Sequence, residues 1–271
     1  MKEPETATIE LRGHSLHVVL RTQFDRQFWL SWLPNGWEAD TFGFLDETVT
    51  PGSIFIDIGA WIGPISLYAA ALGARVIALE PDPISLASLQ DNARLNGHLP
   101  GSVEVLHSAF DAKPGTITIY GNHKGFGTSG STAVRRGWRS IKVPATTADD
   151  LIAKVGEIRP VVMKVDIEAH EYFCSDALAR LQTATNAAMH LSVHPATLRK
   201  SMRWKSLMGK AHEEVLQRTK SLITGFSDAD CYIFDGPRDI GEDALREWLL
   251  PATGDPQEFV LAARPKPEAP G

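Results

Sequence analysis

The chain has 271 residues, 43% apolar and 22% charged, a balance that excludes disorder over most of its length. Its 27 Lys and Arg against 33 Asp and Glu leave a net charge of −6, which argues against generic phosphate-backbone binding, so no nucleic-acid partner is expected. Two cysteines, Cys174 and Cys231, lack metal-ligand spacing; they fit a reducing compartment and read as small core residues.

From Thr8 to Leu20 apolar and polar residues alternate around Gly13, which predicts a hairpin. An aromatic stretch from Phe24 to Trp37 follows, then a short helix from Glu38 to Thr48, ended by Pro51-Gly52. From residue 53 the rhythm becomes strand (53–59), helix (64–72), strand (75–80), helix (83–96) and strand (103–110), the pattern of a parallel sheet with crossover helices. Short strands at 116–120 and 141–145 flank a Gly- and Ser-rich loop, 121–133. The alternation resumes with a strand at 160–168, a helix at 170–182 and a strand at 187–194. A basic helical stretch, 196–223, and strands at 231–235 and 258–264 complete the chain. At roughly 150 residues per domain the length corresponds to about 1.8 domains. We expect an N-terminal cap (1–50), one domain (51–264) with a helical insert near 195–226, and a disordered tail (265–271).

The most informative segment is Asp57-Ile58-Gly59-Ala60-Trp61-Ile62-Gly63, between a strand and a helix. Glycines there let the backbone approach a ligand, and the helix N-terminus adds a positive field. A nicotinamide fingerprint would need its first glycine where Asp57 stands. An acidic residue repels a pyrophosphate but attracts an ammonium. Glu80 then ends the second strand, where a carboxylate accepts hydrogen bonds from ribose hydroxyls. A nucleoside with a cationic amino-acid tail, S-adenosylmethionine, fits both positions better than a dinucleotide does.

These motifs resemble the class I S-adenosylmethionine-dependent methyltransferases, and within them the FkbM family. FIDIGAWIGPISLYAA, ALEPDP and LQDNARLNG carry the likeness, and KVDIEAHE (164–171) is similar to the family's K-x-D-x-E-G-x-E signature. The resemblance covers residues 38–193. It implies a Rossmann-like seven-stranded sheet, mostly parallel, with a C-terminal antiparallel hairpin. Two positions depart from the pattern: Trp61 stands in place of the usual Asn, and Ala169 in place of Gly.

The same resemblance implies that Asp57, Gly59, Ala60 and Gly63 surround the methionine part of the cofactor. Glu80 would hold the ribose, Pro81 and Asp82 the adenine edge, and Ser108, Ala109 and Phe110 the rest of the adenine pocket, with Glu38 nearby. Phe110 reads equally well as core. Asn92 and Asn96 read either as helix-surface residues or as cofactor contacts.

Lys164, Asp166 and Glu168 alternate, so one strand would present all three on one face. Asp166 and Glu168 are read as groups that orient or deprotonate the acceptor, and Lys164 as the partner of an internal salt bridge. His170 and His194, following two strand tips, are the other candidate catalytic residues, histidine being matched to general-base work near neutral pH. These four side chains could alternatively hold a divalent metal, although their spacing is not diagnostic and no metal site is assigned. The expected activity is O-methylation of a hydroxyl on a small molecule, sugar, glycan or secondary metabolite. The alternatives are a nicotinamide-dependent oxidoreductase and a non-catalytic cofactor-binding module.

The late basic helix, Arg199 to Lys220, reads first as a solvated face, and Trp29, Trp32 and Trp37 as packing of the cap. No apolar run approaches a membrane span, and no secretory signal pattern opens the sequence. A cytoplasmic protein without stable membrane insertion is therefore expected.

Overall fold

The computed structural model describes residues 4–121, 125–128, 130–134, 139–158, 160–202, 210–226, 230–234 and 258–264, the strand at 230–234 by its backbone alone. Cys231 as a side chain, the basic residues Arg203 and Lys205, and the tail at 265–271 lie outside the described residues.

Strands β1 (Glu5–Leu11) and β2 (His14–Leu20) form the expected hairpin, turning through Arg12 and Gly13 at positive φ. Helix α1 (Gln23–Gln27), a π-helical turn (Phe28–Trp32) and α2 (Ala39–Thr48) follow. The central sheet is built from β3 (Ile54–Ile58), β4 (Arg75–Leu79) and β5 (Ser102–Leu106), joined by α3 (Pro64–Ala71) and α4 (Pro83–Leu95). Short strands β6 (Ala109–Phe110), β7 (Gly115–Tyr120) and β8 (Ser140–Thr146) make a separate three-stranded sheet. Then come α5 (Ala148–Val155), β9 (Val161–Val165), a 3-10 turn (His170–Phe173), α6 (Ser175–Thr185) and β10 (Ala188–Val193). Helices α7 (Pro195–Ser201) and α8 (Ala211–Thr224) and strands β11 (Asp230–Phe234) and β12 (Phe259–Arg264) end the described chain.

The seven-stranded sheet has the order β5-β4-β3-β9-β10-β12-β11. All neighbours from β5 to β10 are parallel, whereas β12 runs antiparallel to both β10 and β11. This is the Rossmann-like α/β architecture with a C-terminal antiparallel hairpin. Strand order reverses at β3, and the crevice beyond the β3 and β9 tips is where such sheets take ligands.

Alternation in β3 divides its residues between two cores. Ile54, Ile56 and Ile58 face a layer with α5, α6 and α8, while Phe55 faces α3 and the N-terminal cap. Full burial of each such side chain stabilises the fold by roughly 1.5–3 kcal/mol. Leu16, Val18, Phe28, Trp29 and Phe44 of the cap share that second core with Phe55, Val76 and Val162 of the sheet. Val215, Leu216 and Leu222 of α8 belong to the first core, so this segment is a crossover layer of the sheet itself. Cys174 is buried there as well.

Three expected elements differ. The strand at 103–110 is two: β5 ends at Leu106, Ser108 turns back onto Leu106 O, and β6 pairs with β8 instead. The strand at 160–168 stops at Val165, so the Lys164–Asp166–Glu168 alternation breaks; Glu168 and Ala169 both take positive φ, 53° and 74°. The helix at 170–182 begins as a 3-10 turn before α6.

Asn92 and Asn96 are neither surface residues nor cavity contacts. Asn92 Oδ1 accepts from Val19 N at 2.7 Å and its Nδ2 donates to Ile62 O at 2.8 Å; Asn96 bonds both N and O of His17. Two amide side chains thus satisfy the free edge of β2 and tie the hairpin to α4 and the glycine loop. Among the described residues no helix is long and apolar enough to cross a membrane.

Candidate active site

Parallel register sets Asp57 of β3 beside Lys164 of β9, and Lys164 beside His190 of β10. The row faces the cap, where an apolar strand face would otherwise continue. A buried charge survives there only if paired. Lys164 Nζ lies 3.1 Å from Asp166 Oδ2 and 4.0 Å from Glu38 Oε2, so α2 contributes to the pairing from the cap side. Burial alone would lower the Lys164 pKa, but Asp166, Glu38 and Asp57 outweigh it and raise it. His190, against Thr41 of α2, is pushed down to about 3, first by burial and then by Lys164, and is therefore neutral.

The β3 and β9 tips meet at Gly59. Its φ is +89°, and a Cβ there would fall 2.0 Å from Asp166 O. Any other residue would force the two tips apart. Asp166 N donates to Ile58 O at 2.9 Å, completing the junction.

Beyond these tips lies a cavity of about 250 Å³. Of the residues expected around a cofactor, Glu38, Asp57, Gly59, Ala60, Glu80, Pro81, Ser108, Ala109 and Phe110 line it. Phe110 lines the cavity and also packs in the core. Gly63 and Asp82 do not line it. Gly63, at φ +93°, precedes α3 and abuts Leu89. Asp82 caps α4 through Ile84 N and Ser85 N, and its Oδ2 accepts from Gly127 N and Ser131 Oγ, each at 2.7 Å. It therefore anchors the Gly/Ser loop, whose Thr128, Ser131 and Ala133 close one wall.

Asp57 accepts from Ser66 Oγ at 2.6 Å, while its buried Oδ1 has no hydrogen-bond partner among the described residues. Burial raises its pKa, against Lys164 and Ser66. Glu80 accepts from Trp61 N and Asp82 N, both at 2.7 Å, yet burial still pushes it up to about 8. Trp61, left-handed at φ 52°, packs its ring 4.5 Å from that of Phe28 and 6.1 Å from that of Trp37, forming an aromatic wall.

Asp166, Glu168, His170 and His194 all line the opposite end. His194 Nε2 is 3.3 Å from Asp166 Oδ1, and its Nδ1 is 3.2 Å from Glu171 Oε1. Burial works to lower the His194 pKa, but the Glu171 hydrogen bond and both carboxylates lift it to about 10. Burial would raise Asp166; Lys164 and His194 hold it below the usual carboxylate range. Glu168 is pushed up to about 7 by burial. His170 Nε2 sits 3.3 Å from Asp111 Oδ1 and its ring stacks on Phe173. Among the described residues no three His, Cys, Asp or Glu side chains converge as metal ligands.

Sequence reasoning missed Glu171 and Asp111 as supports of this cavity, and it weighed the Gly/Ser loop equally as an acceptor-recognition loop and a plain linker, and Trp37 as cap packing ahead of a stacking role. The KVDIEAHE segment did contain Glu171, and the acidic residue beside a histidine was the available signal.

The strand order, the antiparallel last pair and the carboxylate-lined crevice at the switch point define the class: a Rossmann-like methyltransferase fold. More particularly, residues 57–182 match the family model described as the methyltransferase FkbM domain, and this segment belongs to that family. A ribosomal protein L11 methyltransferase from Symbiobacterium thermophilum is 42% identical over 55 residues, 20% of this chain and 18% of that protein. The hexuronic acid methyltransferase AglP from Haloferax volcanii is 26% identical over 174 residues, 60% of this chain and 66% of that protein. The chain thus spans less than two thirds of the length of either relative. A solved structure described as methyltransferase FkbM from Methylobacillus flagellatus KT aligns with a TM-score of 0.45 and 15% identity, over 90% of this chain and 56% of that one.

Proposed function

We propose that the chain is an S-adenosylmethionine-dependent O-methyltransferase acting in the cytoplasm on a hydroxyl of a sugar, glycan or other small molecule. The observation that carries this reading is Asp57, a cavity-lining residue whose buried Oδ1 has no hydrogen-bond partner among the described residues. A cationic ligand group would satisfy it. The matched family model and the sugar-acid methyltransferase relative support the same reading.

When bound, S-adenosylmethionine supplies an electrophilic methyl group on a sulfonium leaving group. The residues that would hold it are Asp57 toward the ammonium, Glu80 toward the ribose hydroxyls, and Ser108 to Phe110 along the adenine. Trp37 and Trp61 exclude water from that end, which strengthens each polar contact. At the other end Asp166 orients the acceptor hydroxyl. Glu168 takes its proton, since its carboxylate faces the cavity and has no hydrogen-bond partner among the described residues. Positioning of the two reactants supplies much of the acceleration.

Titration calorimetry with S-adenosylhomocysteine tests the cofactor assignment. Glu80→Ala should weaken binding about a hundredfold, the loss of two charge-assisted hydrogen bonds at roughly 1.5 kcal/mol each. Because ribose hydroxyls donate to the ionised carboxylate, wild-type affinity should rise as pH climbs through about 8, with protons released on binding. Equal affinity in the variant, or binding of NAD alone, would remove the assignment.

A further inference from the structure

Glu171 is fully buried on the 3-10 turn that follows the two left-handed residues Glu168 and Ala169. Its Oε1 accepts from His194 N at 2.8 Å and lies 3.2 Å from His194 Nδ1, while Oε2 has no hydrogen-bond partner among the described residues. The other ring nitrogen, Nε2, lies 3.3 Å from Asp166 Oδ1. Both nitrogens of one buried imidazole therefore face carboxylate oxygens.

A neutral imidazole carries a single N–H, so one nitrogen would present its lone pair to a carboxylate. Only the imidazolium donates at both ends. Charges support that state from every side. Asp166 and Glu168 face His194 from the β9 tip, Glu171 from the 3-10 turn, and Glu258, ahead of β12, adds its negative field at Glu168. The cation Lys164 is engaged by Asp166 and Glu38, and His190, on β10 just ahead of His194, is neutral. His170 is turned to Asp111, and Tyr172 OH to Thr219.

We propose that Glu171 is a positioning residue: it fixes His194 as an imidazolium whose Nε2–H holds the Asp166 carboxylate in place at the acceptor end. Both Asp166 oxygens are then engaged, one by Lys164 and one by His194. His194 has no free lone pair with which to act as a base. Proton removal is left to Glu168. This last consequence rests on the methyl-transfer reading of the cavity; the charge state of His194 does not.

The test is a pH series of nitrogen NMR spectra on the full chain labelled at histidine, with the His194 signal identified by its loss in His194→Gln. Wild-type His194 should stay protonated on both nitrogens from pH 6 to about 8.5. Glu171→Gln, which keeps an acceptor but removes the charge, should bind that proton about a hundredfold more weakly and so titrate near pH 8, about two units below the wild type. A wild-type His194 that is neutral at pH 7, or an unchanged titration in Glu171→Gln, overturns the proposal. Should that variant fail to fold, the wild-type series alone decides. S-adenosylhomocysteine calorimetry on the same samples keeps the two readings apart. Binding with an unchanged His194 titration rejects only the role of Glu171, and absence of binding to the wild type rejects the cofactor reading while the nitrogen spectra still report His194.

Discussion

At the β3–β4 side of the cavity, Asp57 and Glu80 are held directly by neutral donors, the Ser66 hydroxyl and two backbone N–H groups. On the β9–β10 side, Asp166 and Glu171 contact the cations Lys164 and His194. Burial accordingly raises the pKa of the first pair, whereas the cations hold Asp166 low. The first side keeps a preference for a positive ligand that Lys164, beside Asp57, offsets only in part. The second is internally neutralised, and an uncharged hydroxyl can enter it without leaving a buried charge unpaired. The fold keeps these two environments apart although their strands are neighbours.

The sharpest break of that comparison targets Glu168, an acidic group on the acceptor side with no cation in contact among the described residues. Glu168→Gln should lower turnover by about a hundredfold or more while S-adenosylhomocysteine affinity stays near wild type. Wild-type turnover should rise with pH through about 7, where Glu168 ionises, and the variant should lose that limb. An unaltered pH limb in Glu168→Gln would assign the base elsewhere, with His170 next to be tested.

A smaller effect is expected where the cofactor side is braced. Asn92→Ala strands the Val19 N–H and the Ile62 carbonyl in a buried site, at about 2 kcal/mol of stability. Urea unfolding would read this loss. A change below about 0.5 kcal/mol would mean that water replaces the amide at the β2 edge. Ile62 belongs to the glycine loop, so the same variant also reports how far the cap sets the cofactor-side geometry.

The sheet was legible because β3, β4 and β9 are short apolar runs followed by Gly, Pro or acidic residues, and their order follows from parallel crossovers. Asp57 and Glu80 were legible because each ends a strand at the carboxyl edge. What the sequence concealed depends on where chains leave regular structure. Nothing in VEVLHSAF marks Ser108 as the point where one strand becomes part of two sheets. The K-D-E alternation gave no sign that Glu168 turns left-handed, and only the family's glycine at the position of Ala169 hinted at the turn that moves Glu168 off the strand face and brings Glu171 under His194. Asn92 and Asn96 showed helical spacing, but their partner, the edge of a hairpin 73 to 79 residues earlier, is a tertiary fact. The left-handed Trp61 is of the same kind: its ring is held by Phe24, Phe28 and Trp37 of the cap, outside the motif that contains it.

The two acidic strand tips offer the finest comparison, since Asp57 and Asp166 lie on adjacent strands joined at Gly59. Asp57→Asn keeps the shape and an acceptor for Ser66 but removes the charge that a ligand ammonium would meet, so S-adenosylhomocysteine affinity should fall about tenfold, or roughly 1.4 kcal/mol. Asp166→Asn should leave that affinity within about twofold of wild type, because its charge is already spent on Lys164 and His194, and should lower turnover instead. The Asp57 deficit should shrink in high salt less than a surface contact would, since the carboxylate is buried. Equal losses of affinity in the two variants would show one continuous acidic site, in which the neutralising cations do not separate donor from acceptor.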